Sequence, residues 1–166
     1  MTYRDGVLLP EPLAYFFTWP TYGTWLPGDE RGWVQRDRGF QLPDPFKKLE
    51  AAGRMAASAR RLDQPQRDLV EQTVAAHCTV RLWTLHAVNC RSNHVHIVLA
   101  ADRHPDEVRD QLKAWCARKL NELERTRYPN APQQRLRWFA ERGSNRYVND
   151  ENALEAVILY VRDAQD

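Results

Sequence analysis

The chain has 166 residues, 43% of them hydrophobic and 28% charged, with a formal net charge of +2. A chain of that size buries roughly two thirds of its unfolded surface, enough for one domain spanning residues 1–166 that needs neither a disulfide nor a metal to hold its core. Its most apolar stretches, Val95 to Ala101 and Ala153 to Val161, fall far short of the ~20 residues of a membrane helix, so no membrane span is expected. The opening MTYRDGVLLPEP has prolines where a secretory leader needs a continuous apolar run, which makes a cytoplasmic protein the expectation. Cys78, Cys90 and Cys116 are odd in number and lack a CxxC pair, so they read as buried packing residues, not as a disulfide framework or zinc knuckle.

In chain order, residues 13–19 (LAYFFTW) read as a first buried strand. The stretch from Pro20 to Pro45 holds Gly23, Pro27, Gly28, Gly32 and Gly39 and reads as a long loop or hairpin. A loop of that length in a compact domain is either functional or folded onto the core as a cover by Trp25 and Trp33. A helix is expected over 46–62, with Pro45 at its start and Gly53 interrupting an alanine-rich body. A second follows Pro65, with Leu69, Val70, Thr73, Val74 and His77 on one face, which makes His77 a packing or surface residue.

Residues 81–89 (RLWTLHAVN) and 93–101 (NHVHIVLAA) read as two strands of an antiparallel hairpin joined by Cys90-Arg91-Ser92. Pro105 to about Arg127 is the clearest helix, with Val108, Leu112, Trp115, Cys116, Lys119, Leu120 and Leu123 near one face. Residues 136–148 read as a strand region broken at Gly143-Ser144, and Asn149 or Asp150 caps a final helix. Helices alternating with a mostly antiparallel sheet predict an α+β sandwich of ferredoxin-like, RRM-like type. Its helices cover one sheet face and leave the other free to bind, and a C-terminal helix bears Tyr160.

Within that frame, His94 and His96 stand two apart in a strand and so share one face, while Val95, Ile97 and Leu99 share the other. Two imidazoles at that spacing reach a common divalent cation. His86, on the partner strand, belongs either to the same face or to the core, and the core is the expectation. On the last helix Leu154, Val157, Ile158 and Val161 form the buried stripe. Tyr160 points about 60° away from Val157, at ~100° per residue, on a flank shared with Ala153, Ala156 and Ala164. Helix geometry alone allows a tyrosine with a packed ring and a wet hydroxyl.

Five segments together resemble the single-tyrosine HUH transposases, close to the REP-associated tyrosine transposases. They are the strand NHVHIVL, the upstream RLWTLHAV, the helix segment LKAWCARKL, the WFAERGSNRYVND segment and the terminal LEAVILYVRDAQ, which cover most of residues 13–165. The family's two histidines around a hydrophobic residue correspond to His94, Val95 and His96, and its tyrosine before a short polar tail corresponds to Tyr160. The resemblance implies a transposase that cleaves and rejoins single-stranded DNA at hairpin-flanked sites. In such an enzyme Tyr160 attacks a backbone phosphorus, the 3′-hydroxyl leaves, and a 5′-phosphotyrosine conserves the bond for transfer. It further implies a divalent metal, Mg²⁺ or Mn²⁺, held by His94 and His96, and a homodimer.

A third protein ligand is expected from the family one helical turn after the tyrosine, where this chain has Ala164; Gln165 has the right chemistry, and a frayed or bulged last turn would bring it to the metal. Lys113, Arg118, Arg142 and Arg146 are candidates for phosphate contacts, against the alternative of solvated surface charges, and Ser144 beside Gly143 offers a small segment that a nucleotide could approach. Trp25, Trp33 and Tyr147 are candidates for stacking unpaired bases or for core packing. The departure at Ala164 keeps open a catalytically degenerate or domesticated module that binds single strands without cleaving them. A small metal hydrolase that activates water at the histidine pair is a third reading.

Overall fold

The computed structural model describes residues 2–4, 7–9, 11–35, 37–55, 58–132, 136–141 and 143–163. Its elements are β1 (Thr2–Arg4), β2 (Val7–Leu9), β3 (Ala14–Pro20), β4 (Trp33–Gln35), β5 (Gly39–Gln41), α1 (Pro45–Gly53), α2 (Gln64–Arg81), β6 (Thr84–Cys90), β7 (His94–Ala100), α3 (Pro105–Arg127), β8 (Ser144–Val148) and α4 (Glu151–Arg162). The main sheet has strand order β6-β7-β3-β8, antiparallel throughout. With the two-stranded hairpins β1-β2 and β4-β5 and the helices α1 and α4 set aside, the chain runs β3-α2-β6-β7-α3-β8, the βαββαβ arrangement of the expected ferredoxin-like sandwich.

Strand alternation divides the side chains between two faces. Phe17 and Trp19 of β3 and Val95, Ile97 and Leu99 of β7 point to one side, where they join Val70, Val74 and Cys78 of α2 and Val108, Leu112, Cys116 and Leu120 of α3 in the main core. The three cysteines are buried and free, as expected. On the other face a smaller cluster of Ala14, Ala87, Val98, Val148 and Val161 packs with Phe16, Leu154, Val157 and Ile158. The stripe read from the sequence is therefore the surface by which α4 lies on the sheet, and it does so over β6 and β7.

Local signals place the helix ends. Asp63 accepts from the Gln66 N–H while the Gln66 side chain accepts from the Asp63 N–H, a reciprocal cap at the start of α2. Arg127 at the far end of α3 grips the Asp63 carboxylate at 2.6 and 3.2 Å, which joins the two helices. Asp150, one of the two residues expected to cap the final helix, accepts from the Ala153 N–H at 2.8 Å.

Several boundaries differ from expectation. The helix expected over 46–62 ends at Gly53; residues 58–62 run back to the sheet instead, with the Arg60 N–H donating to Tyr22 O and the Leu62 N–H to Ser92 O. Among the described residues of 136–148 only Ser144–Val148 forms a strand, and Phe139 makes one isolated bridge with Thr21. His86 sits at a bulge between Leu85 and Ala87 and is half-buried, so it is not the core histidine expected. His77 is buried against Trp83, as a packing residue. No helix among the described residues is long and apolar enough to cross a membrane.

Candidate functional site

The register of the sheet sets Asn89, His96, Thr18 and Ser144 in one row across all four strands, so all four share the face on which α4 lies. His94 falls two residues earlier on the same face, opposite Pro20, and its ring centroid is 4.5 Å from that of His96. From α4, Tyr160 brings its ring to 5.6 Å from the His96 ring and 6.1 Å from Phe16, both edge-on. Asn89 fixes that approach by donating its side-chain N–H to Val161 O at 2.9 Å, which ties the last turn of α4 to the row that holds His96. Residues far apart in sequence thus meet at one cleft of about 200 Å³ lined by Thr18, Thr24, Asn93, His94, His96 and Tyr160 among others.

Hydrogen bonds to Nδ1 orient both imidazoles. Asn93 Oδ1 lies 2.6 Å from His94 Nδ1, and because a carbonyl oxygen only accepts, Nδ1 carries the proton and Nε2 keeps its lone pair. His96 Nδ1 lies 2.8 Å from Thr18 Oγ1, which can hold the second ring in the same way. Burial pushes His96 down to about 4, helped by the nearby charges of His94 and Arg91, so its imidazole is neutral at physiological pH. His94 and His96 are accordingly the described residues suited to hold a cation. No group of three or more His, Cys, Asp or Glu positioned for a metal occurs among the described residues. Tyr160 remains 57% exposed, so its hydroxyl is open to a large substrate.

The wall opposite comes from the long stretch after β3, through Thr24, Trp25 and Arg31. Its start is knotted to the histidine hairpin, as the Thr21 N–H donates to Asn93 O at 2.8 Å and Thr21 Oγ1 donates to Arg60 O at 2.6 Å. Gly28, at φ +88°, carries the turn close to α1, where a β-carbon would collide with Asp44 O. The β4-β5 hairpin folds back over Trp33, which is buried and donates its indole N–H to Leu42 O at 3.1 Å. Trp33 is thus buried within the stretch's own hairpin, and Trp25 stands at the cleft. Thr18, Asn93 and Arg31 went unmarked in the sequence; Asn93 and Thr18 were legible only once the hairpin register was known.

The predicted phosphate contacts separate into groups. Ser144 and Arg146 are exposed on the edge strand β8, on the histidine face, where Arg146 pairs with Phe16 and Ser144 with Thr18. Lys113 lies on α3 under the opposite face, where its ammonium donates to Ala140 O at 2.7 Å and stands over the Trp19 ring; burial brings it down to about 8. Arg118 is exposed on the same helix and stacks on Trp115 at 4.6 Å. Tyr147 pairs with Tyr15, also on the far face. Arg142 and Gln165 lie outside the described residues, as does Ala164.

No family model matches the chain, and no curated protein matches it. Among solved structures it is similar to one described as "a putative transposase" from Deinococcus radiodurans R1, with 18% identity, a TM-score of 0.46, and 98% of this chain and 97% of that chain covered. At that level of likeness the geometry of the cleft, not the neighbour, carries the functional reading.

Proposed function

We propose that the cleft cleaves and rejoins single-stranded DNA through a covalent 5′-phosphotyrosine at Tyr160. The observation that carries this is the meeting of Tyr160 with His96 and His94 at one cleft, on a face where the rest of the sheet is packed or open to solvent. The Tyr160 oxygen attacks the phosphorus, the bond from phosphorus to the 3′-oxygen breaks, the phenol loses its proton and the departing 3′-oxygen gains one. One phosphate ester is exchanged for another, so rejoining needs no nucleotide cofactor. Phe16 supports the tyrosine ring edge-on, and Asn89 sets the helix turn that presents it.

A divalent cation fits the donor set, two imidazoles on one face of the sheet, and Mg²⁺ or Mn²⁺ bound there would supply positive charge that polarises and orients the scissile phosphate. Asn93 and Thr18 orient the two imidazoles through their Nδ1 atoms, and burial keeps His96 unprotonated. The exposed strip of β8 bearing Ser144 and Arg146 continues the cleft's face as a path for the flanking strand. A homodimer that binds hairpin DNA belongs to the same proposal and is checked by sedimentation with and without the DNA.

The test is incubation with labelled single-stranded hairpin DNA from the flanks of the protein's own gene, in Mn²⁺ or EDTA, followed by a denaturing gel. A metal-dependent, protease-sensitive adduct that disappears in Tyr160→Phe is expected. Binding to the same DNA without any adduct would instead support the non-catalytic module.

A further inference from the structure

We propose that Trp25 and Arg31 form a stacking platform for one unpaired nucleobase in the cleft that holds His94 and His96, an inference that rests on the reading of the cleft as a single-stranded DNA site. Trp25 is held by two contacts. Its indole N–H donates to Gly32 O at 2.8 Å, and the Arg31 guanidinium carbon lies 4.7 Å from the centre of its ring. Arg31 is fixed in turn, with Nε and Nη2 on the Asp29 carboxylate at 2.7 and 3.0 Å and Nη2 also on Thr24 O at 2.8 Å. Asp29 is 2% exposed in a turn that is otherwise largely open, and the Arg31 hydrogen bond holds its carboxyl down to about 2. Yet Trp25 keeps 44% of its surface exposed and borders the cleft with Arg31. A fixed, exposed indole on a cleft wall forgoes the stability its burial would bring, which is the pattern of a surface kept for a planar ligand.

Charge narrows the ligand. Arg31 is neutralised by Asp29, and Lys48 by Glu30 at 2.9 Å, so the bracket carries no net charge and is not built to attract phosphate. What it offers is a flat aromatic and guanidinium surface, which suits a nucleobase and is indifferent to its sequence. A base inside a duplex has both faces covered by its neighbours, so the platform takes only an unpaired one.

The test measures binding without chemistry, by fluorescence anisotropy in EDTA. Single-stranded oligonucleotides carry one abasic position each, scanned along the strand, against wild type, Trp25→Ala and Trp25→Phe. One abasic position should weaken wild type roughly tenfold and Trp25→Ala less than about twofold. Trp25→Ala should lose about tenfold on the intact strand with an unchanged salt slope, Trp25→Phe should recover most of it, and a duplex should bind both proteins alike. If Trp25→Ala melts below the assay temperature, Arg31→Lys, which keeps the charge and loses the bidentate fork, is expected to show the same position-specific coupling.

Equal binding of the intact strand by wild type and Trp25→Ala would overturn the platform while leaving the transesterase reading in place. A loss spread evenly over every abasic position would overturn it too, as a structural effect of the substitution. Failure of wild type to bind any single strand would overturn both.

Discussion

The two faces of the main sheet are built from alternate residues of the same strands and have been put to opposite uses. Under α2 and α3, Val95, Ile97, Leu99, Phe17 and Trp19 are all excluded from solvent. On the α4 side, the intervening positions of β7 are His94, His96 and Val98, and only Val98 joins an apolar cluster. The α4 helix lies mainly over β6 and β7 and leaves Ser144 and Arg146 of β8 exposed on the same face. One face thus supplies rigidity, and the other spends part of its area on imidazoles, hydroxyls and an exposed tyrosine. Stability is expected to be concentrated on the first face and function on the second.

That contrast breaks most readily at Ile97. Ile97→Ala removes a fully buried side chain from the main core and should cost about 2–5 kcal/mol, measured by urea unfolding; a cost below about 1 kcal/mol would show that the two faces are not so different.

Acid probes the second face. The His96 imidazole titrates near 4 when folded and near its ordinary 6.5 when unfolded, so between those values the unfolded chain binds more protons. Stability should be full above pH 6.5 and decline on the order of 3 kcal/mol as the pH falls towards 4, and His96→Asn should flatten the profile.

Thr18→Val should cost only about 1 kcal/mol, since a single side-chain hydrogen bond is removed. Cation-dependent adduct formation should nevertheless fall roughly 10- to 100-fold, because the substitution frees the ring that Thr18 orients. At the weak end, Arg146→Ala on the exposed edge strand should change stability by less than about 0.5 kcal/mol while weakening DNA binding and lowering its salt slope by about one.

Much of this was legible in the residues. Period-two alternation separated the histidines from Val95, Ile97 and Leu99, and the 3.6-residue period identified the buried stripe of α4, because each depends on local geometry alone. The helix over 46–62 is overextended because alanine and arginine favour a helix locally, whereas tertiary hydrogen bonds from Arg60 to Tyr22 and from Leu62 to Ser92 hold that part of the chain against the sheet. Thr18 and Asn89 were invisible for a different reason: their partners are set by cross-strand register and by the landing point of α4, neither of which is a local property. Lys113 illustrates the limit on charge. Nothing in its neighbourhood of sequence distinguishes a phosphate contact from an ammonium donated to Ala140 O.

The most direct test of the account is to form the DNA adduct with wild-type protein, digest it with protease and nuclease, and locate the retained nucleotide by mass spectrometry. The account predicts a phosphonucleotide on the peptide containing Tyr160 and on no other. A nucleotide on a different residue, or cleavage with no nucleotide retained, would contradict it.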